Sequence, residues 1–172
     1  MAQVHLENMV RIKLFVSSVT PFRLKTEDNP DGAERTTSEA TILKIEADRP
    51  AFLSEFGKKF YGVDKVRPTL SPALLEWNQM LCLMCSAKAT VDCVRSFSET
   101  GFREYLKKIK IPVLFIHGDA DDIVPIKVSG DNTAELIPHA EYIIYKDAPH
   151  GLFITEKDKL STDLIEFITE SK

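Results

Sequence analysis

The 172 residues carry a net charge of −4, with 44% hydrophobic and 28% charged side chains, a balance that suits one globular domain with a core of ordinary size. It argues against a nucleic-acid partner, since the densest cationic run, Lys107, Lys108 and Lys110, reads as a solvated helix end. It argues against a membrane too: no apolar run reaches the roughly 20 residues that span a bilayer, and MAQVHLENMVRIKLF lacks the basic start and continuous apolar block of a signal peptide.

In chain order, residues 10–19, VRIKLFVSSV, predict a strand that Pro21 stops. FRLKTEDNPDGAERT follows as a polar loop with a turn at Asn29-Pro30-Asp31-Gly32. Residues 37–47, with Ile42, Leu43 and Ile45, predict a helix, and the spacing of Phe52, Leu53, Phe56 and Phe60 predicts a second. Ser71-Pro72 marks a helix start, serine as N-cap and proline at the first helical position. That helix is expected to run past Trp77 toward Val94.

Cys82, Cys85 and Cys93 would then share one stripe of this helix, at about 100° per residue. Cys82 and Cys85 form a C-x-x-C inside the apolar run MLCLMC. No second cysteine or histidine pair completes a zinc site, and the motif is not at a helix N-terminus, where a redox thiolate would be stabilised. Buried thiols are expected, with a reducing, cytoplasmic compartment as the default.

The C-terminal third changes rhythm. IPVLFIHG is an apolar run ended by glycine, the pattern of a strand buried on both faces. Residues 127–137 predict a helix stopped near Pro138, and EYIIYKDAPHG repeats the strand-then-loop pattern. In TEKDKLSTDLIEFITE, Thr155 and Asp158 suggest a capping box, and Leu160, Leu164, Phe167 and Ile168 share a face. Strand, helix, strand, helix implies an α/β fold of parallel strands.

HGDADDIVP crowds Asp119, Asp121 and Asp122 behind an apolar strand. Either these are solvated loop acids, or one of them orients a histidine. Loops at the carboxyl ends of parallel strands share an edge, and KDAPHGL puts His150 on the next such loop. A carboxylate beside an imidazole fixes its tautomer and stabilises the imidazolium, so the ring can act as general base. A metal cluster on the three acids lacks further ligands. His5 and His139 read as surface residues.

These stretches resemble a family. SSVTPFRLKTEDNPDG, DCVRSFSETGF, HGDADDIVPI and APHGL are similar to the cofactor-free haloperoxidases and their esterase relatives among the α/β-hydrolases, over nearly the whole chain after residue 10. The resemblance implies a Ser-His-Asp enzyme with Asp121 as triad acid and His150 as triad base. It implies no metal, haem or nucleotide cofactor, and a small ester or carboxylic acid as substrate. His117 resembles a structural histidine at the strand end, and Asp119 and Asp122 resemble turn residues. Trp77 would pack in the core of a helical lid or line an acyl pocket.

The nucleophile is the missing piece. In this fold the serine sits in a G-x-S-x-G elbow ahead of the acid and the base, and none of the seven glycines opens such a motif. Ser17 and Ser18 at the first strand's end and Ser86 in mid-helix are not on an elbow. The expectation is one incomplete α/β-hydrolase domain over 1–172, with the first half of its sheet absent. A helical lid would occupy 22–105 and strand–helix units 106–172. Strand 10–19 would keep an open edge, favouring self-association or pairing with another chain. Two functions remain: a hydrolase of this type that is inactive alone, or a non-catalytic binding or subunit module.

Overall fold

The computed structural model describes residues 11–63 and 70–171; His5 lies outside them. Three strands form a parallel sheet in the order β1 (Lys13–Val16), β2 (Val113–Gly118), β3 (Glu141–Tyr145). All six residues of β2 are buried, which is why its sequence runs apolar without alternation. β1 and β3 flank it and keep partial exposure. β1 is shorter than its apolar stretch because the chain turns out of the sheet at Ser17, where φ is 47°.

The segment between β1 and β2 holds α1 (Arg35–Ala47), α2 (Arg49–Phe60), α3 (Pro72–Met84), α4 (Ala87–Glu99) and the one-turn α5 (Arg103–Leu106). Their starts follow local chemistry. The Asp48 carboxylate accepts from the Ala51 N–H at 2.9 Å, with Pro50 in the first turn of α2. The Ser71 hydroxyl accepts from the Leu74 N–H at 3.2 Å, with Pro72 opening α3. The Asn29-to-Gly32 turn closes through the Gly32 N–H and the Asn29 carbonyl at 3.1 Å.

One long helix reaching Val94 does not form. The chain is extended at Cys85 (ψ 153°), and Ser86 restarts it by capping α4 through the Ala89 N–H. Ser86 is therefore an N-cap and not a mid-helix residue. The break lets α4 turn Val91 and Val94 onto Ile45 of α1. It also dissolves the cysteine stripe: Cys82 is half-buried, and Cys85 and Cys93 are exposed, so the thiols are not core residues. Trp77 is 53% exposed and packs in no lid core.

After β2 the predicted helix at 127–137 is split. A 3₁₀ turn at Ile126–Val128 is followed by α6 (Gly130–Leu136), with Ser129 (φ −132°, ψ −77°) between them. The Ser129 hydroxyl donates to the Pro125 carbonyl at 2.9 Å and holds that break. After β3 come α7 (Leu152–Thr155) and α8 (Lys157–Glu170). The Thr155–Asp158 capping box is absent. Thr155 ends α7, so it is helical where a cap must be extended, and its hydroxyl is buried without a partner. Glu156 precedes α8 without a side-chain cap.

Two apolar layers close on β2. Leu114 and Ile116 pack with Tyr145, Leu152, Leu160 and Phe167. Val113 packs with Leu106, Ile109 and Ile137 on the other face. The carboxyl ends of β2 and β3 are thereby held side by side.

Candidate active site

Because β2 and β3 are parallel, residues 119–125 and 146–151 leave the sheet at the same edge. They are laced together there. The Asp119 N–H donates to the Tyr145 carbonyl and the Ala120 N–H to the Ala148 carbonyl, each at 3.1 Å. The Asp119 carboxylate accepts from the Asp147 N–H at 2.6 Å. Gly118 permits this approach: a Cβ there would lie 2.1 Å from the Ala148 carbonyl oxygen.

Asp121 is 4% exposed and accepts on both oxygens. Oδ1 takes the Ile123 N–H at 2.9 Å and the Val124 N–H at 2.8 Å, which folds the DADDIV turn around the carboxylate. Oδ2 lies 2.7 Å from His150 Nδ1 and 3.2 Å from His117 Nε2. Burial pushes the acid's pKa up, but hydrogen bonds from His117, His150 and the Val124 N–H, with the charge of His150, outweigh it and bring it to about 2. Asp121 is thus an anion that only accepts, so Nδ1 of His150 carries a proton. In the neutral ring Nε2 then holds the free lone pair. Among the described residues no side chain hydrogen-bonds this Nε2.

His117 is fully buried. Its Nε2 lies 2.9 Å from the Val124 carbonyl, and a carbonyl can only accept, so Nε2–H is the proton-bearing tautomer. That proton is shared between the Val124 carbonyl and Asp121, while Nδ1 is buried without a partner. His117 thus sits at the strand end, where its resemblance to a structural histidine puts it. Its contact with the acid has no sequence signal beyond the four-residue spacing from His117 to Asp121, which on a strand-and-turn path does not predict contact.

The lid meets His150 directly. The Phe60 ring stands edge-on to His150 with centroids 4.8 Å apart, and the Gly151 N–H donates to the Phe60 carbonyl at 2.8 Å. A cavity of about 1120 Å³ lies under the lid and includes His150, Ser17, Phe22, Arg23, Phe56 and Val128 in its wall. That is roomy enough for a small ligand, whose pockets measure roughly 300–1,000 Å³. Trp77 is not part of this wall. Ser17 is: its φ is positive, and its hydroxyl is buried with no partner. No hydrogen bond joins it to His150.

The structure therefore brings Asp121 and His150 together, as expected from their loops. Asp119 pins one loop to the other, and Asp122 is exposed at the cavity. His139 is exposed, with its ring 3.2 Å from the Ile111 carbonyl. Among the described residues no cluster of His, Cys, Asp and Glu could hold a metal ion, and no helix is long and apolar enough to cross a membrane.

A short parallel sheet, an acid behind its central strand, a histidine behind the next and a helical lid over both define a portion of an α/β-hydrolase. The comparisons agree. The family model for the alpha/beta hydrolase fold matches residues 87–157. A bifunctional esterase/perhydrolase of Acinetobacter calcoaceticus is 36% identical over 157 residues, covering 90% of this chain and 56% of that protein. A non-heme chloroperoxidase of Streptomyces lividans is 33% identical, with the same coverage. A bromoperoxidase from Bacillus anthracis superposes with a TM-score of 0.89 at 34% identity, over 98% of this chain and 63% of the other. The chain belongs to the α/β-hydrolase family, in its haloperoxidase and esterase group. It spans little more than half the length of these curated relatives.

Proposed function

We propose that Asp121 and His150 are the acid and base of a Ser-His-Asp site that hydrolyses small carboxylic esters or exchanges their acyl group with hydrogen peroxide. The observation that carries this reading is the 2.7 Å contact between His150 Nδ1 and a buried, ionised Asp121. In that arrangement Nε2 takes the proton of an attacking hydroxyl as its oxygen bonds to the ester carbon. Asp121 stabilises the imidazolium that results, and Nε2 returns the proton to the departing alkoxide. Water, or hydrogen peroxide, then gives its proton to Nε2 while attacking the acyl-enzyme, and Nε2 passes that proton to the serine oxygen as its bond to the acyl carbon breaks, releasing an acid or a peracid.

The sequence contains no G-x-S-x-G, so in this reading the attacking serine comes from outside these residues and the chain alone is inactive. Incubation with a fluorophosphonate probe and with p-nitrophenyl acetate checks this. The expected result is neither labelling nor turnover above that of His150→Ala. Probe labelling together with turnover abolished by His150→Ala would show that a serine within the chain serves, and Ser17→Ala would be the next variant.

The second reading, a subunit or binding module, draws on the edge of the sheet. Among the described residues β1 pairs only with β2, and Leu14 is 40% exposed. A strand from a second chain would find unpaired backbone groups there, and a partner that brings a nucleophile elbow would complete the site.

A further inference from the structure

Arg23 stands on the cavity wall shared with His150, and it is poorly partnered. Its Nη1 reaches the Ile123 carbonyl at a long 3.4 Å. Its guanidinium carbon lies 5.4 Å from the centroid of Phe97. Its Nε is buried with no acceptor. Among the described residues no carboxylate forms an ion pair with it, and desolvation lowers its pKa. A guanidinium stays protonated in proteins and carries five N–H donors. Half-burying that charge with one weak acceptor is unfavourable until an anion arrives. The other charges of the cavity, Lys44, Lys59, Asp31, Asp48, Glu55 and Asp122, are all exposed to water, where screening weakens their pull on a ligand.

We propose that Arg23 is the anion-binding residue of this cleft and selects esters that carry a carboxylate on the far end of a short methylene chain. This rests on the reading of the cleft as an ester site. The guanidinium offers a planar pair of donors that matches a carboxylate. It sits against Ile123, two residues past the acid that holds His150, so one cavity offers both an anion anchor and a general base. Phe22, Phe56 and Val128 supply apolar wall for the methylenes of a dicarboxylic half-ester. Relative to a neutral ester, the carboxylate would pair with the accessible end of the guanidinium, where Nη1 has one long bond and Nη2 makes none among the described residues.

Titrations of the full chain with monomethyl adipate and with dimethyl adipate, followed by the His150 ring resonances, test this. The wild type is expected to bind the monoanion about tenfold more tightly or better, as one charge-assisted hydrogen-bonded pair allows. Arg23→Met should bind the two alike, and Arg23→Lys should keep part of the preference. Retained binding of the neutral diester shows that the variant is folded. Should Arg23→Met unfold, the ratio in Arg23→Lys decides, and an unchanged ratio there counts against the proposal. Equal affinities in the wild type, or a preference that survives Arg23→Met, would overturn the role of Arg23 and leave the ester site standing. If neither ester shifts His150, the ester-site reading fails and takes the proposal with it.

Discussion

At the scale of single residues the site turns on Asp121, a buried carboxylate satisfied by four donors. Its folded pKa of about 2 lies below the roughly 3.9 of an unfolded aspartate. Its contribution is therefore complete above about pH 4 and lost as pH falls toward 2, and by linkage amounts to about 2 kcal/mol. Urea unfolding followed from neutral pH to about pH 2.5 should show this acid loss, and Asp121→Asn should lack it. That variant keeps an acceptor for Ile123 and Val124 but turns an N–H₂ toward two ring N–H groups. It should lose about 2 kcal/mol at neutral pH, and the His150 ring nitrogens in an NMR spectrum should report a changed tautomer.

At the scale of elements, the loops that carry Asp121 and His150 depend on how closely β2 and β3 end together. Gly118→Ala puts a methyl into the backbone of residue 148, which cannot rotate away as a side chain could. A cost of about 3 kcal/mol is expected, with loss of the His150–Asp121 contact, read by urea unfolding and by the Nδ1 proton resonance. Ile116→Ala empties a fully buried position of β2 and should cost about 2–5 kcal/mol. Trp77→Ala removes a larger side chain, but a half-exposed one, and should stay within about 1 kcal/mol in the same measurement. The lid is where local sequence misled. α3 and α4 read as one amphipathic run, because Cys85-Ser86 carries neither glycine nor proline to announce a break. What decides the break is the packing of Val91 and Val94 on Ile45 in a helix nearly fifty residues earlier.

For the whole molecule, the decisive feature is a three-stranded sheet whose β1 lies at an edge among the described residues. Exposed ion pairs such as Arg35–Glu99 and Lys25–Glu34 contribute little, so a flanking strand has more to offer than surface charge. Sedimentation at micromolar concentrations is expected to show species heavier than the monomer. A single monomeric boundary with a cooperative melt would speak against pairing through β1.

The strands, several helix starts and the two motif-bearing loops were legible in the linear chain. Each rests on local rules: a continuous apolar run for β2, serine–proline for a helix start, acids and a histidine behind strand ends. The strand order announced the approach of the Asp121 and His150 loops, but the contacts themselves and every other pairing of distant residues named above were decided by tertiary structure. Asp121 meets His150 across 29 positions, and Arg23 reaches Ile123 across 100. His117 contacts the acid only because the turn folds back over β2. Periodicity describes which face a residue occupies, and it carries no information about which distant face lies opposite. That pairing follows from the parallel register of β2 and β3 and from the packing of the lid above them.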